Sequence, residues 1–294
     1  MKNIVIGSRG SDLALWQANH VKDQLAALGH QSTIKIISTQ GDRIQHLSFD
    51  KMEGKGFFTK EIEAALLDKS IDLAVHSHKD LETTSPEGLT IAAVSQRENP
   101  AELLLVRPES YDKNLPLGLK ENPIVGTSSA RRKSQLITFR DDLTIKDLRG
   151  NVPTRINKLR DGNYDAIVLA LAGVKRLELD LSDFVTTTLD PTVFIPAPSQ
   201  GVLGLQIRET DTELAAILAK MNDTEVAHQI GVERAVLKLL NGGCQLPLGV
   251  YCTPDNDVHV AFAKAWEEGA VFQTYKATDD LSIAKTIVEE LREI

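Results

Sequence analysis

The chain has 294 residues, 42% of them hydrophobic, with 33 Lys and Arg against 41 Asp and Glu and a net charge of −8. That apolar content is ample for two or three packed domains, while the acidic balance and the lack of a basic tail argue against broad nucleic-acid binding. Two cysteines exclude a disulfide framework and fit a reducing compartment.

The segment from Met1 to Arg9 lacks the apolar core of a signal peptide, and no apolar run is long enough to span a bilayer, so a soluble cytoplasmic protein is expected. The charge is unevenly placed. Between Val125 and Arg160 nine Lys and Arg stand against three Asp, a local +6, so against the chain's −8 the remainder carries −14. Such a basic island suggests a site for small anions, with solvated helix faces as the plainer alternative.

Asn3 to Gly7 reads as a short buried strand, and Gly7-Ser8-Arg9-Gly10-Ser11-Asp12 turns it into a helix carrying Leu13, Leu15, Trp16 and Val21. A glycine-rich strand-to-helix turn offers backbone N–H groups to an anion, and Arg9 adds charge. The G-x-x-G spacing is not a dinucleotide fingerprint. Ser32 to Thr39 is a second strand. Gln40 to Gly56 has no periodicity and reads as a long loop, either a lid or a disordered segment. A helix through Ile62, Leu66 and Leu67 follows. Ile71 to Val75 is a third strand, delivering His76-Ser77-His78-Lys79-Asp80 to a sheet edge where ligands bind in α/β folds. Two histidines at i, i+2 without a third ligand do not make a metal site, and none is expected.

Thr90 to Val94 and Glu102 to Val106 read as strands leading from one domain to another. The first design then recurs: strand Ile124-Val125, turn Gly126-Thr127-Ser128-Ser129, and a helix with Arg131, Arg132, Leu136 and Ile137. Two such units in succession suggest two domains facing each other across a cleft. Leu148 to Arg155 starts another helix with Pro153 in its first turn. Ala166 to Leu171 and Phe184 to Leu189 are strands, and Val202 to Ile207 reads as a buried strand returning to complete the first sheet. From about Lys220 a small α+β domain follows. Its first helix opens on a capping box, Asn222 with Glu225, and stops at Gly242-Gly243. Cys244 comes next. A thiol past a helix C-terminus is poorly placed to be a thiolate, which fits either a small buried hydrophobe in a turn or a thiol that reacts once and stays modified.

Taken together, Arg9-Gly10-Ser11, Gly54-Lys55-Gly56-Phe57-Phe58, Ala74-Val75-His76-Ser77-His78-Lys79-Asp80, Val125 to Arg132, Leu148-Arg149-Gly150-Asn151 and Gly242-Gly243-Cys244-Gln245 resemble the porphobilinogen deaminase (hydroxymethylbilane synthase) family over essentially the whole chain. The resemblance implies an α/β fold of two type II periplasmic-binding-protein-like domains facing a cleft, 1–97 with 199–218 and 98–198, plus a small α+β domain, 219–294. It implies a transferase of haem biosynthesis that joins four porphobilinogen molecules head to tail on a covalent dipyrromethane primer, releases ammonia at each step and frees hydroxymethylbilane with water. The primer would be attached through Cys244.

By the same resemblance Asp80 is the catalytic carboxylate. Lys79, Thr127, Ser128, Ser129, Arg131, Arg132 and Arg155 bind the cofactor. Arg9, Ser11, Arg149, Arg155 and Arg176 bind the substrate and the growing polypyrrole, and Lys55 and Phe58 belong to a lid. Guanidinium suits this work because porphobilinogen carries two carboxylates. A monomer without nucleic-acid or membrane partners is expected. Two positions depart from the family's usual pattern, His78 for methionine and Pro153 for a small residue. The alternative from another class is a non-catalytic anion-binding protein of the same two-lobed fold, which leaves Asp80 and Cys244 without a purpose.

Overall fold

The computed structural model describes residues 3–43, 58–243, 245–277 and 282–294. In chain order the elements are β1 (Ile4–Ser8), α1 (Asp12–Ala27), β2 (Ser32–Ile36), α2 (Gln40–Arg43), α3 (Lys60–Leu67), β3 (Leu73–Ser77), β4 (Leu89–Val94) and β5 (Glu102–Val106). There follow β6 (Ile124–Gly126), α4 (Ala130–Phe139), β7 (Thr144–Lys146), α5 (Val152–Arg160), β8 (Ala166–Ala170), α6 (Leu171–Arg176), β9 (Val185–Leu189) and β10 (Leu203–Arg208). The chain ends with α7 (Thr212–Leu218), α8 (Thr224–Leu239), β11 (Leu248–Cys252), β12 (Asp257–Phe262), β13 (Val271–Lys276) and α9 (Ile283–Glu293). Two compact units result. One comprises Met1–Gln45, Gly54–Glu98 and Ser199–His228; the other includes Asn99–Pro198 and Gln229–Ile294.

The first unit is built on a sheet of order β2-β1-β3-β10-β4. β1 runs parallel to β2 and β3, and β10 is antiparallel to both β3 and β4. β10 therefore completes this sheet from a distant part of the chain, and all six of its residues are buried. Its sequence alternates: Leu203, Leu205 and Ile207 pack with Ile6, Val75 and Leu25, while Gln206 and Arg208 at the alternate positions are buried in hydrogen bonds to Glu63 and the Leu66 carbonyl. The strand bounds shift from expectation at their ends: β3 runs to Ser77, so His76 lies in the strand rather than beyond it. α3 buries Ile62, Glu63, Ala65 and Leu66 on one face but leaves Leu67 half exposed, since it falls about 100° beyond Leu66 around the helix.

The second unit carries a sheet of order β7-β6-β8-β5-β9. Here too the three consecutive neighbours β7, β6 and β8 are parallel, followed by antiparallel β5 and an edge strand. The two sheets thus repeat one plan, the type II lobe implied by the sequence resemblance. A third, antiparallel sheet, β11-β12-β13, belongs to the same unit and packs Val250, Val258 and Val260 against Val232 and Val236 of α8 and Ile287 and Leu291 of α9. It rests on α4: the Lys133 ammonium lies 5.0 Å from the Trp266 ring centroid, and the Ala270 N–H donates to Thr138 Oγ1 at 2.7 Å.

Helix starts follow their caps. Ser11, Ser129 and Asn151 accept from the backbone N–H of Ala14, Arg132 and Thr154. The expected Asn222 cap of α8 is displaced by one residue. Asp223 accepts from the Val226 N–H at 3.0 Å, while Asn222 Oδ1 is taken by the Val94 N–H at 2.9 Å. A long-range backbone donor outcompetes the local cap. Most of the expected lid, Lys55 included, and the tether residue Cys244 lie outside the described residues.

Candidate active site

Parallel neighbours bring their C-terminal ends to one edge, and the candidate residues come from those ends. In the first unit β1 delivers Arg9 and Ser11, and its neighbour β3 delivers Lys79 and Asp80. The Arg9 guanidinium carbon stacks 4.2 Å above the centroid of the Phe58 ring, so one of the two lid residues is placed against a candidate substrate arginine. Ser11 caps α1 and Ser8 Oγ donates to the Ala14 carbonyl at 3.0 Å, which fixes the turn around Arg9. Lys79 Nζ donates to Gln200 Oε1 at 3.1 Å. Asp80 ends a single 3-10 turn, His78–Asp80, and is exposed.

Gln200 belongs to the segment from Pro196 to Gly201 that the sequence reads as the crossing back to the first domain; it was not read as a site residue, yet it is fully buried and ties this edge to that segment. Its carbonyl accepts from Arg97 Nε at 3.0 Å, and the Glu98 N–H donates to the Gly201 carbonyl at 3.1 Å. Gly201 has φ +92°, and a Cβ there would stand 2.2 Å from the Glu98 carbonyl oxygen, so only glycine permits the crossing. Beneath the edge, His76 Nε2 lies 2.9 Å from Gln206 Oε1, and Gln206 Nε2 donates to Glu63 Oε1 at 3.1 Å. Burial pushes the His76 imidazole down to about 4; the Gln206 hydrogen bond opposes this and the Arg9 charge adds to it. His76 is therefore a neutral core histidine. Among the described residues no cluster of three or more His, Cys, Asp or Glu could hold a metal ion. His78 is buried against Gly204, where an added Cβ would stand 2.9 Å from its ring, so the departure from methionine is absorbed by packing.

In the second unit β6, β7 and β8 deliver three turns to one edge: Thr127–Arg132, Leu148–Arg155 and the helix ending at Arg176. Ser128 stitches the first two, since its Oγ donates to the Leu148 carbonyl and accepts from the Leu148 N–H, both at 3.0 Å. Thr127 Oγ1 accepts from the Ser129 N–H at 3.2 Å and shapes the turn. Arg155 Nε donates to the Gly150 carbonyl at 2.7 Å, and Lys158 Nζ donates to the Arg149 carbonyl at 3.0 Å. Arg176 is buried.

Arg131 and Arg132 are both 6% exposed and converge on Glu102, which is fully buried. Glu102 Oε1 accepts from Arg131 Nη2 at 2.6 Å and from Arg132 Nε at 3.1 Å, and Oε2 accepts from Arg132 Nη2 at 2.7 Å. Arg131 Nη1 also donates to the Ile195 carbonyl and Arg132 Nη1 to that of Val168, each at 3.0 Å. Burial pushes the Arg131 guanidinium down and Glu102 holds it up. The basic island is thus far less free than its sequence count. Lys133 pairs with Asp147 at 2.8 Å, Arg140 with Asp142, and Arg160 with Asp183 at 2.6 Å. Glu102 and Asp183 lie outside the counted window, which is why a local tally overstates the charge. Glu102 had a sequence signal that could have been used: a carboxylate heading the buried strand Glu102-Leu103-Leu104-Leu105-Val106 must have a charged partner.

Comparison with known proteins gives the family. A family model described as porphobilinogen deaminase, dipyromethane cofactor binding domain, matches residues 4–216, and one described as porphobilinogen deaminase, C-terminal domain, matches residues 227–293. The porphobilinogen deaminase of Oceanobacillus iheyensis is 43% identical over 99% of this chain and 94% of its own length. That of Maridesulfovibrio salexigens is 46% identical over 87% of this chain and 82% of its own, and that of Chromobacterium violaceum is 42% identical over 98% and 92%. By the family models and by these relatives, the chain belongs to the porphobilinogen deaminase family.

Proposed function

We propose that the chain is a hydroxymethylbilane synthase, which condenses four porphobilinogen molecules head to tail with loss of ammonia and releases the linear product with water. Family membership supports this reading. The structural observation that carries it is the gathering of Thr127–Arg132 and Leu148–Arg155 at one sheet edge, a partly buried cluster of guanidinium and hydroxyl groups suited to a chain of acetates and propionates. No helix among the described residues is long and apolar enough to cross a membrane. The reading includes a cytoplasmic monomer with no nucleic-acid or membrane partner, and three domains, 1–97 with 199–218, 98–198 and 219–294.

The donor set fits the cofactor. Glu102 and the Val168 carbonyl take three of the five N–H groups of Arg132, so two remain for a carboxylate, and Ser128 and Ser129 stand at the N-terminus of α4, where an anion is favoured. Dipyrromethane, tied by a thioether to Cys244, supplies the primer on which the product is built. Arg131, Arg132, Arg155, Lys79, Thr127, Ser128 and Ser129 hold its carboxylates. Arg9, Ser11, Arg149, Arg155 and Arg176 bind the incoming substrate and the lengthening product, and Lys55 and Phe58 close over them. Asp80 faces the cation left when ammonia departs from porphobilinogen and holds pyrrole N–H groups, and its charge lowers the barrier to that departure.

The test is stoichiometric. Purified protein given porphobilinogen should release one ammonia for each porphobilinogen consumed and form a product of four linked pyrroles. Binding of porphobilinogen without ammonia release would leave only an anion-binding protein of the same fold.

A further inference from the structure

We infer that Glu102 is a positioning residue for cofactor capture: one buried carboxylate holds Arg131 and Arg132 side by side with their remaining N–H groups set for an incoming carboxylate. The inference rests on the reading that these two arginines hold the cofactor. Its basis is the geometry. Two guanidiniums close together repel, and each is stripped of water, with 6% exposure. Glu102, fully buried at the start of β5, engages Nε and Nη2 of Arg132 with both oxygens and Nη2 of Arg131 with one. β5 is an inner strand, paired on one side with β8 through Ala170 and on the other with β9 through Leu189, so the carboxylate is anchored by two ladders. The Ile195 and Val168 carbonyls pin the other guanidinium nitrogens. The set as a whole carries one positive charge, enough to balance one carboxylate of a ligand. Without Glu102 it carries two that repel, and each fork is held by its single carbonyl alone.

E102Q keeps the size and removes the charge, E102D keeps the charge and shortens the reach by a methylene. Both are compared with wild type, R131Q, R132Q and L104A, the last because Leu104 is fully buried in the same strand and its loss lowers stability without removing a hydrogen-bond partner of the arginines. The readout is the fraction of chains carrying the dipyrromethane mass under denaturing conditions, with thermal unfolding and near-ultraviolet circular dichroism recording the fold. E102Q should show at least a tenfold smaller loaded fraction, E102D an intermediate one, and L104A a normal one at a comparable Tm. If folded E102Q loads like wild type, or L104A loads as poorly as E102Q, the inference is overturned. Should E102Q not fold, E102D decides: loading equal to wild type contradicts a role that depends on reach. If instead R131Q and R132Q load normally, the assignment of the arginines fails, which is a separate result from normal loading of E102Q alone.

Discussion

The two sheet edges use the same strand–turn–helix device and finish it differently. In the first unit Arg9 is half-buried and stacked on one aromatic ring, and Asp80 is exposed at the end of a short turn. In the second, Arg131 and Arg132 are buried and locked to a carboxylate and two carbonyls. A group that must hold one fixed ligand benefits from being preorganised. On the proposed function Arg131 and Arg132 of the second edge grip the primer, and Asp80 of the first handles the chemistry.

Breaking the rigid edge should have the largest effect. Arg131→Gln leaves Glu102 still paired with Arg132, so no buried carboxylate is orphaned, and the loss should be that of a charge-assisted hydrogen bond, about 1.5–3 kcal/mol of stability. Urea unfolding should show this loss, together with a chain that lacks cofactor. Next comes Asp80. Asp80→Asn, measured on cofactor-loaded protein, should lower kcat on the order of a hundred- to thousand-fold, because one preorganised charge is lost. Asp80→Glu should retain part of the rate. Equal rates for the two variants would make Asp80 a positioning group and not an electrostatic one.

A third variant probes the support under the first edge. His76 titrates at about 4 in the fold, below its ordinary 6.5, so the unfolded chain binds the extra proton between these values. Stability should therefore be fully present above pH 6.5 and fall as the pH drops towards 4, by roughly 3 kcal/mol in all. His76→Gln should flatten that acid limb in pH-dependent urea unfolding; an unchanged limb would place the titration elsewhere. The smallest effect belongs to Arg9. Arg9→Lys keeps the charge but loses the planar stack on Phe58, worth about 0.5–1 kcal/mol at an exposed site, so KM for porphobilinogen should rise a few-fold with the cofactor intact.

Much of this was legible in the sequence, for identifiable reasons. β5 was read with its observed bounds because its apolar run is continuous, and β10 was placed in the first sheet because Val202 to Ile207 reads as a buried strand returning after the proline-rich crossing. The three-residue strand β7 and the helix α7 were missed, since a stretch as short as Thr144–Lys146 has no usable periodicity. The site residues were visible as motifs, but their partners were not. Glu102 meets Arg131 and Arg132 across about 30 residues of chain, and Gln200 meets Lys79 across 121. Pairings at that range follow from topology, which no local window contains. The same limit made the Val125 to Arg160 island look like a free cationic surface.

The central claim is that this chain carries a dipyrromethane on Cys244, and intact mass under denaturing conditions tests it most directly. The other cysteine, Cys252, is fully buried in β11, its N–H bonded to Glu233 Oε1 at 2.9 Å. Wild-type protein should be heavier than its sequence mass by one dipyrromethane, the adduct should map to the peptide containing Cys244, and Cys244→Ser should have the bare mass, an intact fold and no turnover. A bare mass for active wild-type protein, or an adduct on Cys252, would contradict the account.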